Sequence, residues 1–247
     1  MLQVAHRGFS SKAPENSVPA FELAVKKGFY GVECDIHQTK DGSFVVMHDP
    51  VLDRMCGVDL EIQDLTREEV RSHPIRAGKQ IEDYPNLPIP LLEEYLEVMS
   101  QNKEVHPFIE IKDILSAQSL QKLVHLVKKY GLLKQTYFIS LHADNLLGLK
   151  NTWGVSKSKL QFVYGATSFD RSTPVGEELI AWLIRKQYNL DSRHILIRAD
   201  VTEALHKAGL QVNVWNVNEE QAAMVLERDM NVDMITTEVG FWDLKEE

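Results

Sequence analysis

Two histidines, three carboxylates and two basic side chains stand where this chain could do chemistry. The opening stretch reads His6-Arg7-Gly8, Pro14-Glu15-Asn16-Ser17, Glu33-Cys34-Asp35 and His48-Asp49, and Glu110-Ile111-Lys112 and Trp215 follow later. Glu33 and Asp35 are two positions apart, so on a β-strand they face the same side. Like charges on one face repel unless a cation lies between them, and hard oxygen ligands favour Mg2+ or Ca2+ over zinc. Glu110 offers a third carboxylate. Histidine, with an unperturbed pKa of about 6.5, serves as base or acid at neutral pH, and Arg7 and Lys112 add fixed positive charge. Such a set fits metal-assisted reaction at a phosphodiester: a phosphoryl group is neutralised, a nucleophile activated and a leaving alkoxide protonated. Singly, each residue has a plainer reading. Glu33 and Asp35 could form a salt-bridged strand exit, His6 a core histidine, Arg7 a loop clamp, Lys112 a solvated strand end and Trp215 packing. Asp49 reads as a turn cap, and Asn16 and Ser17 as caps of the first helix. All these plain readings would have to hold together, at predicted strand ends on one side of the molecule.

The elements that must position these groups alternate. Leu2-Gln3-Val4-Ala5 is a strand stopping at His6, and Ser17 to Gly28 is a helix with Gly28 as C-cap. Gly31 to His37 is β-like, and Phe44 to Met47 is a second apolar run after the Asp41-Gly42 turn. Residues 53–90, rich in proline and carrying a capping-box start at Thr66-Arg67-Glu68-Glu69, read as an insertion or lid with few large apolar residues. Beyond it come strands at Pro107–Ile111, Tyr137–Leu141, Leu160–Tyr164, Ile195–Ile197, Leu210–Val217 and Val232–Thr236. Helices at Leu91–Ser100, Ala117–Tyr130, Asp144–Lys150, Gly176–Tyr188, Val201–Ala208 and Glu219–Asp229 lie between and around them. About eight strand–helix units with short, β-branched strands predict an α/β fold, a closed (β/α)8 TIM barrel with a small insertion after the second strand. We expect one domain over 1–247. A doubly wound dinucleotide fold would need a Gly-x-Gly-x-x-Gly turn after the first strand, which the sequence lacks. In a barrel, strand carboxyl ends face the active-site mouth, where His6, Arg7, Glu33, Asp35, His48, Glu110, Lys112 and Trp215 all fall.

With 247 residues, 44% hydrophobic and 26% charged, the chain can bury a sizeable core. A net charge of -9 disfavours a nucleic-acid partner. No apolar run approaches the roughly 20 residues of a membrane helix, and no signal-peptide pattern opens the sequence. Cys34 and Cys56 are expected as free thiols, which points to a cytoplasmic setting.

The run His6-Arg7-Gly8, Pro14-Glu15-Asn16-Ser17, Ala20-Phe21, Gly28, Glu33-x-Asp35, Thr39-x-Asp41-Gly42 and His48-Asp49 resembles the signature of the glycerophosphodiester phosphodiesterases. Glu110-Ile111-Lys112 and Val214-Trp215-Asn216-Val217-Asn218 match later blocks of that pattern. The resemblance spans nearly the whole chain and implies a (β/α)8 barrel with an inserted segment. It also implies that Glu33, Asp35 and Glu110 hold the metal, that His6 and His48 form the acid/base pair, and that Arg7 and Lys112 bind phosphate. A small-molecule glycerophosphodiester would be the substrate. The pattern departs at Ser17, where threonine is usual, at Leu91, which replaces a threonine, and at Glu238, where aspartate is typical. Two other readings compete: a sugar-phosphate isomerase or aldolase using Lys112, which leaves the histidine pair unexplained, and a metal-dependent binder of glycerol phosphate esters, which has no need of both histidines.

Overall fold

The computed structural model describes residues 1–165 and 173–241. The chain runs β1 (Leu2–Ala5), α1 (Val18–Lys27), β2 (Gly31–Gln38), β3 (Phe44–Val46), α2 (Asp53–Cys56), α3 (Arg67–Arg71), α4 (Leu92–Ser100) and β4 (His106–Ile111). It continues α5 (Ala117–Lys129), β5 (Tyr137–Ser140), α6 (Ala143–Trp153), β6 (Leu160–Tyr164), α7 (Glu177–Lys186), β7 (Asn189–Arg193), α8 (Ala199–Lys207), β8 (Val212–Trp215), α9 (Glu220–Arg228) and β9 (Met234–Thr237). All strands but β3 are parallel, in the order β1-β2-β4-β5-β6-β7-β8-β9, and β9 pairs back onto β1. The sheet therefore closes into the expected eight-stranded barrel. β3 turns back antiparallel along β2, pairing Ile36 with Val46 and Gln38 with Phe44.

Alternation along the strands sorts the side chains. Val32, Cys34 and Ile36 of β2 join the main core between strands and helices, where Phe21 of α1 meets Tyr95 of α4 edge-on. Val4, Phe108, Tyr137, Ile139, Val163 and Met234 fill the barrel interior, with the Phe108 and Tyr137 rings stacked 4.3 Å apart. That apolar plug closes the barrel from within and leaves its carboxyl end to polar groups. Helix signals in the sequence act as expected: Ser17 caps α1 by accepting from the Ala20 N–H, Gly28 ends it in the left-handed region, and Thr66 and Glu69 form a reciprocal capping box. Residues 53–90 share a small second core, Leu52, Met55, Cys56, Ile62, Val70, Ile75 and Ile89, with Val45 and Met47 beside β3. Both cysteines are free and buried, and burial raises the Cys56 thiol to about 11. No helix among the described residues is long and apolar enough to cross a membrane.

One strand lies elsewhere than expected. Ile195–Ile197 is not a strand: His194–Leu196 is a 3-10 turn, and the barrel strand is Asn189–Arg193 just before it. β7 carries Asn189 and Asp191 on the face whose counterparts in the other strands line the barrel interior, so its sequence lacks the apolar run by which a buried parallel strand is usually read.

Gly8 shows how tightly the opening loop is packed. Its φ is +78°, and a Cβ there would lie 2.7 Å from the Ala20 backbone and side chain. Gly8→Ala therefore combines a left-handed backbone with overpacking and is expected to destabilise the fold by roughly 2–4 kcal/mol. Urea unfolding checks this; an unchanged midpoint would mean that α1 and the loop can move apart.

Candidate active site

The barrel's carboxyl end holds a cavity of about 130 Å³ lined by His6, Arg7, Glu33, His48, Glu110, Lys112 and Trp215, with Asp191, Asn216 and Thr236. The sequence-derived residues thus converge on one pocket. Asp35 lies just behind its wall, 1% exposed. Larger grooves lie on the outside of the barrel, such as one between the β2–β3 turn and α5. Openness rather than chemistry accounts for their size, since they gather none of these groups.

Oxygens of Glu33, Asp35 and Glu110 lie within 4.8 Å of one another. Asn16 holds Asp35 from two sides: its Nδ2 donates to Oδ2 at 2.8 Å, and its Oδ1 accepts from the Asp35 N–H at 3.2 Å. Asn16 is thus not a second helix cap. Only one residue can occupy the N-cap, and Ser17 does. Burial opposes ionisation of Asp35, but Lys112 at 3.3 Å and Arg7 at 3.4 Å outweigh it and hold the carboxyl well below its usual range. Lys112 also donates to Glu110 at 2.9 Å. Glu33 fares differently. Burial, then Asp35 and Glu110, push its pKa well up; its Oε2 accepts the Arg7 N–H at 2.8 Å, while its Oε1 has no partner among the described residues. Two buried carboxyl groups and the part-exposed Glu110 thus crowd together beside Arg7 and Lys112, with one oxygen orphaned. An all-oxygen set of this kind fits a divalent cation such as Mg2+ or Ca2+.

The backbone that delivers these groups is strained. Arg7 and Asn16 sit at φ 54° and 53°, a region costing an ordinary residue roughly 1–2 kcal/mol. The Asn16 N–H bonds the Arg7 carbonyl at 2.9 Å, so the two brace each other. The Arg7 side chain reaches Glu15 at 2.8 Å, while its Nε has no hydrogen-bond partner among the described residues.

The imidazoles differ in setting. His6 has Nδ1 3.2 Å from Asn216 Nδ2 and 3.4 Å from Glu238 Oε1. Burial lowers its pKa against the pull of Glu238, which favours the neutral ring. His48 Nδ1 donates to Asp49 Oδ1 at 2.7 Å, which leaves Nε2 to act. Asp49 is therefore the histidine's orienting partner rather than a plain turn cap. His37 supports the same segment, with Nε2 3.1 Å from the His48 carbonyl and Nδ1 2.8 Å from Asp113. Arg54 of α2 bonds both Asp49 and Glu15, at 2.5 and 2.7 Å. From the His48 ring a chain of contacts then runs through the alternating charges of Asp49, Arg54, Glu15, Arg7, Asp35 and Lys112 to Glu110. Asp49→Asn would leave the ring in place without fixing its tautomer. We expect a 10–100-fold loss in kcat at unchanged thermal midpoint, measured by steady-state kinetics; a wild-type kcat would show that Asp49 does not orient His48.

Sequence reasoning missed Asp49, Arg54, Asp191, Asn216 and Glu238 as site groups. Asp191, 4% exposed, has its pKa pushed well up by burial and then by Glu110. The alternation Asn189-Leu190-Asp191 was its only signal.

A closed parallel barrel with imidazole, carboxyl and cationic groups around one pocket has the make-up of an enzyme for an anionic ester. The sequence matches the Glycerophosphoryl diester phosphodiesterase family over residues 6–239. It is 29% identical over 223 residues to a glycerophosphodiester phosphodiesterase of Caldanaerobacter subterraneus subsp. tengcongensis, covering 89% of this chain and 87% of that one. Among solved structures, a glycerophosphodiester phosphodiesterase from Parabacteroides distasonis superposes with a TM-score of 0.76 at 25% identity, over 96% of this chain and 92% of that one. A phosphodiesterase from Oleispira antarctica, in complex with the product sn-glycerol-3-phosphate, has the same fold with a TM-score of 0.82 at 23% identity, over 96% and 93%. The chain belongs to the glycerophosphoryl diester phosphodiesterase family, and its activity is hydrolysis of glycerophosphodiesters.

Proposed function

We propose that this enzyme hydrolyses glycerophosphodiesters to sn-glycerol 3-phosphate and an alcohol by a metal-dependent reaction in which His6 and His48 share the proton transfers. The observation that carries the reading is the convergence of both imidazoles, Arg7, Lys112 and the acidic trio on one small cavity. Glu33, Asp35 and Glu110 would hold a Mg2+ or Ca2+ ion, which when bound neutralises negative charge on the phosphoryl group. Arg7 and Lys112, which both line the cavity, bind the phosphate oxygens. One imidazole takes the proton of the hydroxyl adjacent to the ester on the glycerol as that oxygen attacks phosphorus. The other, protonated, gives its proton to the departing alcohol oxygen. Water then opens the resulting cyclic phosphate with the two roles reversed. Trp215 lines the substrate side of the pocket. The buried free thiols support a cytoplasmic setting.

The test is turnover of glycerophosphocholine, followed as EDTA-sensitive release of glycerol phosphate. No release in the presence of either Mg2+ or Ca2+, or release indifferent to EDTA, would overturn the reading.

A further inference from the structure

The catalytic scheme above leaves one buried group of the pocket without a task. Asp191 lies on β7, which in the eight-strand ring stands diametrically opposite β2 and its carboxylates. The side chain is 4% exposed, lines the cavity, and its Oδ1 has no hydrogen-bond partner among the described residues. A buried polar oxygen costs stability unless something satisfies it. Its oxygens fall outside the trio that could share a cation, which among the described residues comprises Glu33, Asp35 and Glu110 alone. Asp191 is therefore suited to a ligand other than the metal.

The chemistry of that ligand follows from the walls. On this side the cavity is bounded by Ile139 and Val163, which belong to the apolar plug filling the barrel. The cavity is small, about 130 Å³. A quaternary ammonium head group would need an aromatic cage, and among the described residues lining the cavity Trp215 alone is a Phe, Tyr or Trp. A short polyol fits: it places carbon against Ile139 and Val163 and a hydroxyl at the carboxyl oxygen.

Resting on the proposed reaction, we infer that Asp191 receives the terminal hydroxyl of the substrate's glycerol and so selects a three-carbon polyol ester, while the alcohol head group faces the mouth. The enzyme then distinguishes glycerol from propane-1,2-diol, which keeps the hydroxyl needed for attack on phosphorus and lacks only the terminal one. A site that hydrogen-bonds a hydroxyl rejects the analogue lacking it, because its own buried group is then left unpaired.

The test is a two-by-two cycle of kcat/KM. Wild type and Asp191→Leu are each assayed on glycerophosphocholine and on the phosphocholine ester of propane-1,2-diol. Leucine keeps the branching and the number of heavy atoms and removes the orphaned carboxyl, and Asp191→Asn, which is isosteric and retains an acceptor, accompanies it in case the bulkier methyl groups of leucine overpack the site. Wild type should prefer the glycerol ester by roughly 10–100-fold. Asp191→Leu should erase that preference, mainly through the glycerol ester, and Asp191→Asn should keep part of it. Three results overturn the inference alone: no preference in wild type, an unchanged preference in Asp191→Leu, or an equal loss on both esters. Loss of Mg2+ or Ca2+ binding by the asparagine variant in calorimetric titration also overturns it, since Asp191 would then be a metal ligand. Absence of turnover of either ester by wild type overturns the proposed reaction, and this inference with it.

Discussion

Replacing His6 or His48 by alanine is expected to lower kcat on glycerophosphocholine by roughly 100- to 10,000-fold, the range contributed by a positioned general acid or base. The two losses arise differently. His6 has a side chain only 13% exposed and lies against Asn216 and Glu238, so its removal also leaves a void and two polar neighbours without their partner. His48 is more exposed and leans on Asp49, so its removal leaves the barrel intact. The His48→Ala variant should therefore keep its thermal midpoint while losing turnover, and the double variant should lose less than the product of the two, since the residues act in one cycle. Single-turnover kinetics on both variants checks this. Near-normal turnover in either would remove that residue from the mechanism.

Glu33→Gln is expected to have an effect that reverses sign with the metal. Without a cation, Glu33 is a buried carboxyl whose ionised form is disfavoured first by burial and then by Asp35 and Glu110. A group whose folded pKa lies above its unfolded value supports the fold below the unfolded pKa. It loses that support as pH rises through the folded pKa. At pH 7 the unfolded chain holds Glu33 ionised, so the native state carries the cost; the neutral glutamine removes it, and the variant should melt above wild type in EDTA. With Mg2+ or Ca2+ present the order inverts, because binding adds about 2.7 kcal/mol at a hundredfold excess of ligand over Kd and the variant lacks one ligand. Turnover of Glu33→Gln should fall below detection in either state. Differential scanning calorimetry with and without the ions reads both signs, and a variant melting below wild type in EDTA would mean that Glu33's charge is already compensated.

How much of this was legible beforehand follows from where each residue's signal lies. Glu33 and Asp35 could be placed because a two-residue spacing in an apolar run means one face of a strand, and β2 is such a strand. His6 stops the apolar run of β1, and His48 lies two residues past β3. Asp191 was hidden because β7 turns polar groups inward, and the apolar run behind it drew the strand to a turn that leaves Ile195 60% exposed. Arg54 could not be read at all: its partners Glu15 and Asp49 meet it through the packing of separate segments, which no local pattern encodes. Asn16 looked like a cap because Asn and Ser share that preference, and only the fold shows which one took the position and which was left to grip Asp35.

Arg54 belongs to the segment in which one would expect head-group preference to diverge. Half-exposed ion pairs of this kind add only about 0–1 kcal/mol to stability, so nothing in the folding of the barrel would guard it. Yet it steadies the carboxylates behind both His48 and Arg7. A chimera that imports a foreign stretch between β3 and α4 can fold faultlessly and still arrive with both sides of its reaction centre unmoored, unless the graft brings its own guanidinium to that one spot.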